Sequence, residues 1–138
     1  VQILTSGNER MRRLFSEASS GEDIVKGFEA AIRAGTGSTG RNYRRRRIAS
    51  LATAQHSPAI AEALADLQLK ETDYWVATLS IGTQRGLIQP FEPLLGTADV
   101  VQSLLVGRIL VDLLEDDSRD NLWVTSAIEV FRALMRPQ

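Results

Sequence analysis

Cysteine is absent from this chain of 138 residues. Disulfides and thiolate metal sites are thereby excluded. Histidine is nearly absent: His56 stands alone. A single imidazole cannot build a zinc site. As a general base it would need a nucleophile and an orienting group, and no spacing around it supplies either. His56 therefore reads as a loop residue beside a helix start. No other catalytic constellation can be assembled, so an enzyme is not expected. A spaced calcium loop is missing too. Glu115, Asp116, Asp117 and Asp120 crowd one turn, but the glycine and closing glutamate of such a loop are not there. Capping of the following helix accounts for Asp117 and Asp120, and neither metal nor cofactor is expected. Net charge is close to zero, at -1, which gives no general attraction to nucleic acid or an anionic membrane. No run approaches the roughly 20 apolar residues of a membrane span, and no signal peptide is visible. A cytoplasmic protein without membrane contact is the expectation. Alternation with period two is lacking throughout, so no strand is predicted.

What remains is helical periodicity in a chain long enough for one domain with a real core. Six helices are predicted, over roughly residues 1–19, 21–34, 42–55, 58–85, 97–116 and 118–136. The chain opens at Val1 already in helix, so a preceding segment is expected. In the first helix Ile3, Leu4, Met11, Leu14 and Phe15 are apolar. Ser20 with Asp23 three residues on reads as a capping box for the second. Gly35 ends that helix. Gly35 to Gly40 spells G-x-G-x-x-G, but a helix precedes it and no acid comes after it until Glu62. The context of a dinucleotide site is missing, and a flexible loop is expected. Arg41, Arg44, Arg45, Arg46 and Arg47 come next. Cations at a helix start oppose its dipole, so anionic partners are called for: carboxylates elsewhere in the chain or solvent, or else a phosphate or an acidic surface. Ser57-Pro58 opens the long fourth helix. Its inner face reads Ile60, Ala63, Leu64, Leu67, Glu71, Tyr74 and Trp75, Thr78 and Leu79. Gly86 closes it, with Leu87 and Ile88 just beyond. Pro90 and Pro93 hold the next stretch out of helix, and Thr97 caps the fifth helix.

The last two helices carry the strongest signal. In Thr97 to Asp116 the apolar residues go almost all the way round: Val100, Val101, Leu104, Leu105, Ile109, Leu110, Val111, Leu113 and Leu114. The closing helix has two stripes, Trp123, Ala127, Val130 and Leu134, and Val124, Ile128, Phe131 and Met135. One subunit of this size has little to cover both sides. The pair is read as a homodimer interface of the two-fold, four-helix type, with a central hairpin of a larger monomeric bundle as the alternative. Val100, Leu104, Gly107, Val111, Leu114, Trp123, Ala127, Val130 and Leu134 are the interface candidates. Glycine inside a helix costs about 1 kcal/mol against alanine, and Gly107 is tolerable where a second helix approaches.

A second set points to a small-molecule pocket. Large aromatics beside a few polar groups line mainly apolar ligand sites. Tyr74, Trp75 and Thr78 fall on one stretch of the long helix, and Phe28, Tyr43 and Phe91 are the remaining aromatics of interest. Ligand-lining candidates are Phe28, Ile32, Leu51, Tyr74, Trp75, Thr78, Leu79, Phe91, Leu105 and Arg108. A buried arginine must be paired. Asp112, four residues on, is a local partner for Arg108, and a ligand carboxylate is the functional alternative.

The order of segments resembles the C-terminal regulatory domain of TetR/AcrR-type transcriptional regulators. Val1 to Phe15 is similar to that family's linker helix. Gly86-Leu87-Ile88-Gln89-Pro90, Ala98-Asp99-Val100-Val101 and Gly107-Arg108-Ile109-Leu110 resemble its passage into the first dimerisation helix. Leu122-Trp123 to Leu134-Met135 looks like its last helix. The resemblance spans nearly the whole chain and implies an all-α domain, a homodimer on the last two helices, and a pocket for an effector enclosed by the second to fifth helices. It further implies that a ligand modulates DNA binding through a helix-turn-helix head, which this chain lacks. Few charged residues fall on inward faces, so an apolar or amphipathic small molecule is the expected ligand. A helical interaction or scaffold module without a small ligand is the competing expectation.

Overall fold

Serine and aspartate caps divide the chain into helices much as their spacing predicts. The computed structural model describes Gln2–Gln138, with side chains from Gly7 onward. Val1, and the side chains of Ile3 and Leu4, lie outside the described residues. The elements are α1 (Gln2–Glu17), α2 (Gly21–Ala34), α3 (Ser38–Ala54), α4 (Pro58–Gln84), α5 (Leu94–Gly107), α6 (Ile109–Asp112) and α7 (Asp117–Met135). The single turn α6 continues α5 after a break at Arg108, so the chain is an all-α, six-helix bundle. Among the described residues there is no strand. Ser20 caps α2, accepting from the Asp23 N–H at 3.1 Å. Asp23 in return accepts from the N–H of Ser19. Ser57 caps α4 with Pro58 in its first turn. Gly86, at φ 71, closes α4 in the left-handed region, and the Leu87 N–H turns back to the Gly82 carbonyl at 3.0 Å.

Three boundaries differ from expectation. First, α3 begins at Ser38 rather than near residue 42, and the expected flexible loop is a tight turn. Gly37 sits at φ 102, which only glycine adopts without strain. A Cβ on Gly40 would lie 2.0 Å from the Gly35 carbonyl oxygen. The glycine spelling is thus explained by two backbones meeting, not by a nucleotide. Gly40→Ala is expected to destabilise the fold by about 1–3 kcal/mol through overpacking, as read by urea denaturation. Second, α5 begins at Leu94, because a proline just outside a helix start needs no N–H partner. Pro93 is the N-cap, and Thr97 instead donates its hydroxyl to the Phe91 carbonyl at 2.8 Å. Third, Asp116 caps α7, accepting from Ser118 and Arg119 N–H groups. Asp117 pairs with Arg41, and Asp120 is buried against Arg108.

The core lies where α1, α2, α4, α5 and α7 meet. Phe15, Ile24, Val25, Phe28, Leu79, Val101, Val124, Phe131 and Met135 are fully buried there. Phe28 and Phe131 stack with ring centroids 3.7 Å apart and planes within 6°, which ties α2 to α7. The stripe Val124, Ile128, Phe131 and Met135 is the inner face of α7. After Met135 the tail clamps the α4–α5 connection: the Gln138 N–H reaches the Leu87 carbonyl, and the Gln89 N–H reaches that of Met135, each at 2.9 Å.

The first half of α4 departs from its predicted inner face. Ile60 and Ala63 are exposed, Leu64 and Leu67 are half-buried, and burial begins only at Glu71. α3 buries no residue at all. The α3–α4 hairpin therefore leans outward at its tip, where each helix has little but the other to pack on.

Leu94–Asp112 is long and apolar enough to cross a membrane by length and composition, at mean hydropathy 1.6. The expectation that no stretch approaches such a span is corrected accordingly. The helix is broken at Arg108, however, and Arg108 and Asp112 are each held in ion pairs inside the fold. Both charged groups are thus paired within the subunit, and much of the apolar surface of this stretch is left uncovered.

Candidate ligand-binding pocket

Trp75 and Glu71 lie four residues apart on α4 and so share a face. That face meets Phe28 and Ile32 of α2, Tyr43 and Ile48 of α3, and Gln102 and Leu105 of α5 around a cavity of about 320 Å³. Gly7, Asn8 and Met11 of α1 close one side, and Arg108 and Ile109 the other. The size sits at the lower end of small-molecule sites, which run from roughly 300 to 1,000 Å³. Phe28 contributes an edge to the cavity while its face stacks on Phe131. The wall is thus continuous with the inner face of α7.

Five of the ten expected lining residues meet here: Phe28, Ile32, Trp75, Leu105 and Arg108. The other five do not. Leu51 is exposed on the outward part of α3. Tyr74 faces a shallow depression with Arg12, Arg13 and Ser16 of α1. Thr78 and Leu79 are buried one turn further along α4, inside the core. Phe91 is half-exposed, with the Arg136 guanidinium 4.6 Å from its ring centre. The errors share a cause. An inner face of a long helix passes from pocket to core along its length, and periodicity does not mark the change. Gln102 had no distinguishing signal in the sequence. Its position is fixed by polar contacts: it donates to the Thr72 hydroxyl at 2.9 Å and accepts from Gln68 at 2.6 Å.

Behind the pocket stands a layer of arginine–carboxylate pairs. Arg44 grips Asp112 with two bonds, at 2.5 and 2.7 Å, and also reaches the Gly35 carbonyl. Arg47 donates to Glu71 Oε2 at 2.8 Å. Arg45 pairs with Glu115, and Arg41 with Asp117. The arginine run is thus met by carboxylates of α4, α6, α7 and the turn between the last two. Arg108 is 3% exposed. Its partner is Asp120 rather than Asp112, with bonds at 2.9 and 3.0 Å. It also donates to the Ile32 carbonyl at 2.7 Å and the Thr36 hydroxyl at 3.0 Å, and lies 5.0 Å from the Trp123 ring centre. Most of a guanidinium's five N–H groups are taken, so a ligand carboxylate is not what Arg108 is set to bind. Burial, together with the nearby Arg44 charge, pulls the Arg108 pKa below its ordinary value, and Asp120 works against that shift. Burial likewise pushes the Tyr43 phenol up, so it stays protonated.

No known family model matches this chain, and no curated protein does. The functional reading therefore rests on the pocket and on the exposed surface of the last helices.

That surface is apolar. Of the interface candidates, Val100, Leu114 and Val130 are exposed, and Leu110, Leu113 and Leu122 are exposed beside them at 71%, 69% and 63%. Leu104, Gly107, Val111, Trp123 and Leu134 are half-buried. Ala127 is buried in the subunit's own core and cannot reach a second copy. A 100° step per residue carries one stripe across the boundary between inner and outer faces, which is why the stripe containing Ala127 divides. A Cβ on Gly107 would meet nothing within 4 Å. Nothing within the subunit requires glycine there.

Proposed function

We propose that this chain is the effector-binding and dimerisation domain of a TetR-like one-component regulator, and that its ligand is a small, largely apolar molecule. The observation that carries this reading is the position of the cavity. It touches α1 at Gly7, Asn8 and Met11, and it touches the start of the apolar hairpin at Leu105, Arg108 and Ile109. A ligand there would contact both the first helix and the helices that would pair with a second copy. Arg108 and the Phe28–Phe131 stack link the pocket wall to α7, so a shift in the wall has a rigid path to the apolar face. The exposed leucines on α6 and α7 are of the kind that a homodimer covers. DNA contact would belong to a head outside these residues.

The test uses the tryptophan in the wall. In a Trp123→Phe background, an apolar aromatic ligand should quench the fluorescence of Trp75. It should also raise the melting temperature, with stabilisation growing as RT ln(1 + [L]/Kd). The competing reading, an interaction module without a small ligand, is favoured by the α3–α4 hairpin. Leu51, Ile60 and Leu69 are exposed there, Leu69 at 65%. That reading expects no fluorescence or thermal response to any such ligand, and loss of a protein partner when Leu69 is made polar.

A further inference from the structure

Among the described residues, Oε1 of Glu71 is the one buried side-chain polar atom without a hydrogen-bond partner. The residue is 7% exposed, and its other carboxylate oxygen, Oε2, is bonded to Arg47. A buried carboxylate oxygen left without a donor is costly, and the cost invites a partner. The residue lines the cavity one turn from Trp75. The terminal torsion of a glutamate is broad and roughly two-fold, so the carboxylate has the freedom to meet a donor placed in the cavity.

The neighbours decide what kind of donor fits. Arg10, Arg44, Arg47 and Arg108 all border the cavity, and Arg47 already balances the Glu71 charge. A cationic ligand would therefore find no unbalanced negative charge there, and Arg10 would oppose it. An anionic group would be set against the like charge of the Glu71 carboxylate, and Arg44 and Arg108 are committed to Asp112 and Asp120. Gln102, Thr72 and Gln68 satisfy one another, so they do not compete for the donor. We infer that the pocket selects a neutral, aromatic or alicyclic ligand carrying a hydroxyl or N–H group, which it donates to Oε1 of Glu71 beside the Trp75 ring. This rests on the ligand-binding reading above and gives its effector a chemical class.

The experiment uses three probes on the same ring system: a naphthol, its methyl ether and a naphthylmethylammonium ion. Binding to the whole chain is measured by calorimetry and by Trp75 quenching in the Trp123→Phe background. The naphthol should bind about ten- to a hundred-fold more tightly than the ether, the range of one hydrogen bond to a charged group. The ammonium ion should bind no better than the ether. In Glu71→Gln the amide nitrogen can face the cavity while its oxygen accepts from Arg47, so the naphthol's advantage should vanish and the ether should bind at least as well. If naphthol and ether bind the wild-type chain equally, the role of Glu71 is overturned and the pocket stands. The same holds if the preference survives in Glu71→Gln. A clear preference for the ammonium ion overturns the choice of a neutral ligand. If none of the three binds, the pocket reading falls and this inference with it. The comparison among probes on the wild-type chain needs no variant to fold.

Discussion

Replacing Arg108 by alanine is expected to cost the subunit about 3–5 kcal/mol, the range found when one partner of a buried ion pair is removed. Asp120 is 1% exposed and would be left buried without its partner. The Ile32 carbonyl, which takes a 2.7 Å bond from Arg108 at the end of α2, would lose its donor too. For a chain of this length the loss corresponds to a fall in melting temperature on the order of 10–20 °C. The size of the effect is not a measure of what the pair contributes to stability. A buried pair set against well-packed apolar residues is often neutral. The double replacement Arg108→Met with Asp120→Leu should therefore recover most of the loss. Urea denaturation of both single variants and the double variant gives the coupling energy directly. A single variant within 1 kcal/mol of the wild type, on the scale that marks ordinary surface substitutions, would mean that the pair is not formed in solution.

Gly107→Leu is expected to push two properties in opposite directions. Within one subunit the added side chain meets open space. Removing a glycine from a helix favours the helix by up to about 1 kcal/mol, so the isolated subunit should become slightly more stable. Between two subunits the same side chain would intrude where the helices approach. Overpacking of about 1–3 kcal/mol corresponds to roughly ten- to a hundred-fold weaker association. Analytical ultracentrifugation over a range of concentrations, beside thermal unfolding, reads both. An unchanged dimer would move the interface away from Gly107. A wild-type chain that sediments as a single well-folded subunit at micromolar concentration would remove the dimer and with it the regulator reading.

The all-α class was legible because helix signals here are local. Ser20, Ser57 and Gly86 stand at the ends their chemistry predicts. Boundaries set by close backbone approach rather than by the residue type at the boundary were not legible. Nothing near Gly40 in sequence announces that its α-carbon touches the Gly35 carbonyl, and nothing near Thr97 says that Pro93 has already opened the helix. The arginine run could be read as needing anions, and carboxylates within the chain supply them. Which carboxylate goes to which arginine could not be read. Asp112 is four residues from Arg108 but belongs to Arg44, 68 positions away. For the pocket, Trp75, Phe28, Ile32, Leu105 and Arg108 emerged from aromatic content and inward periodicity. Glu71 lay on the predicted inner face of the long helix, but its half-satisfied carboxylate is a property of three dimensions alone.

The outer wall of the cavity is α3, and α3 has no buried side chain to anchor it. What ties it down is a row of guanidinium groups reaching across to Asp112, Glu115, Asp117 and Glu71. Such a wall behaves as a latch rather than as masonry. Dissolved ions screen its exposed fastenings, at Glu115 and Asp117, within a Debye length of about 8 Å at physiological ionic strength, while the buried Arg44–Asp112 pair and the greasy interior are left nearly untouched. The rate at which a guest enters or leaves should thus answer to salt, even for a guest that bears no charge of its own.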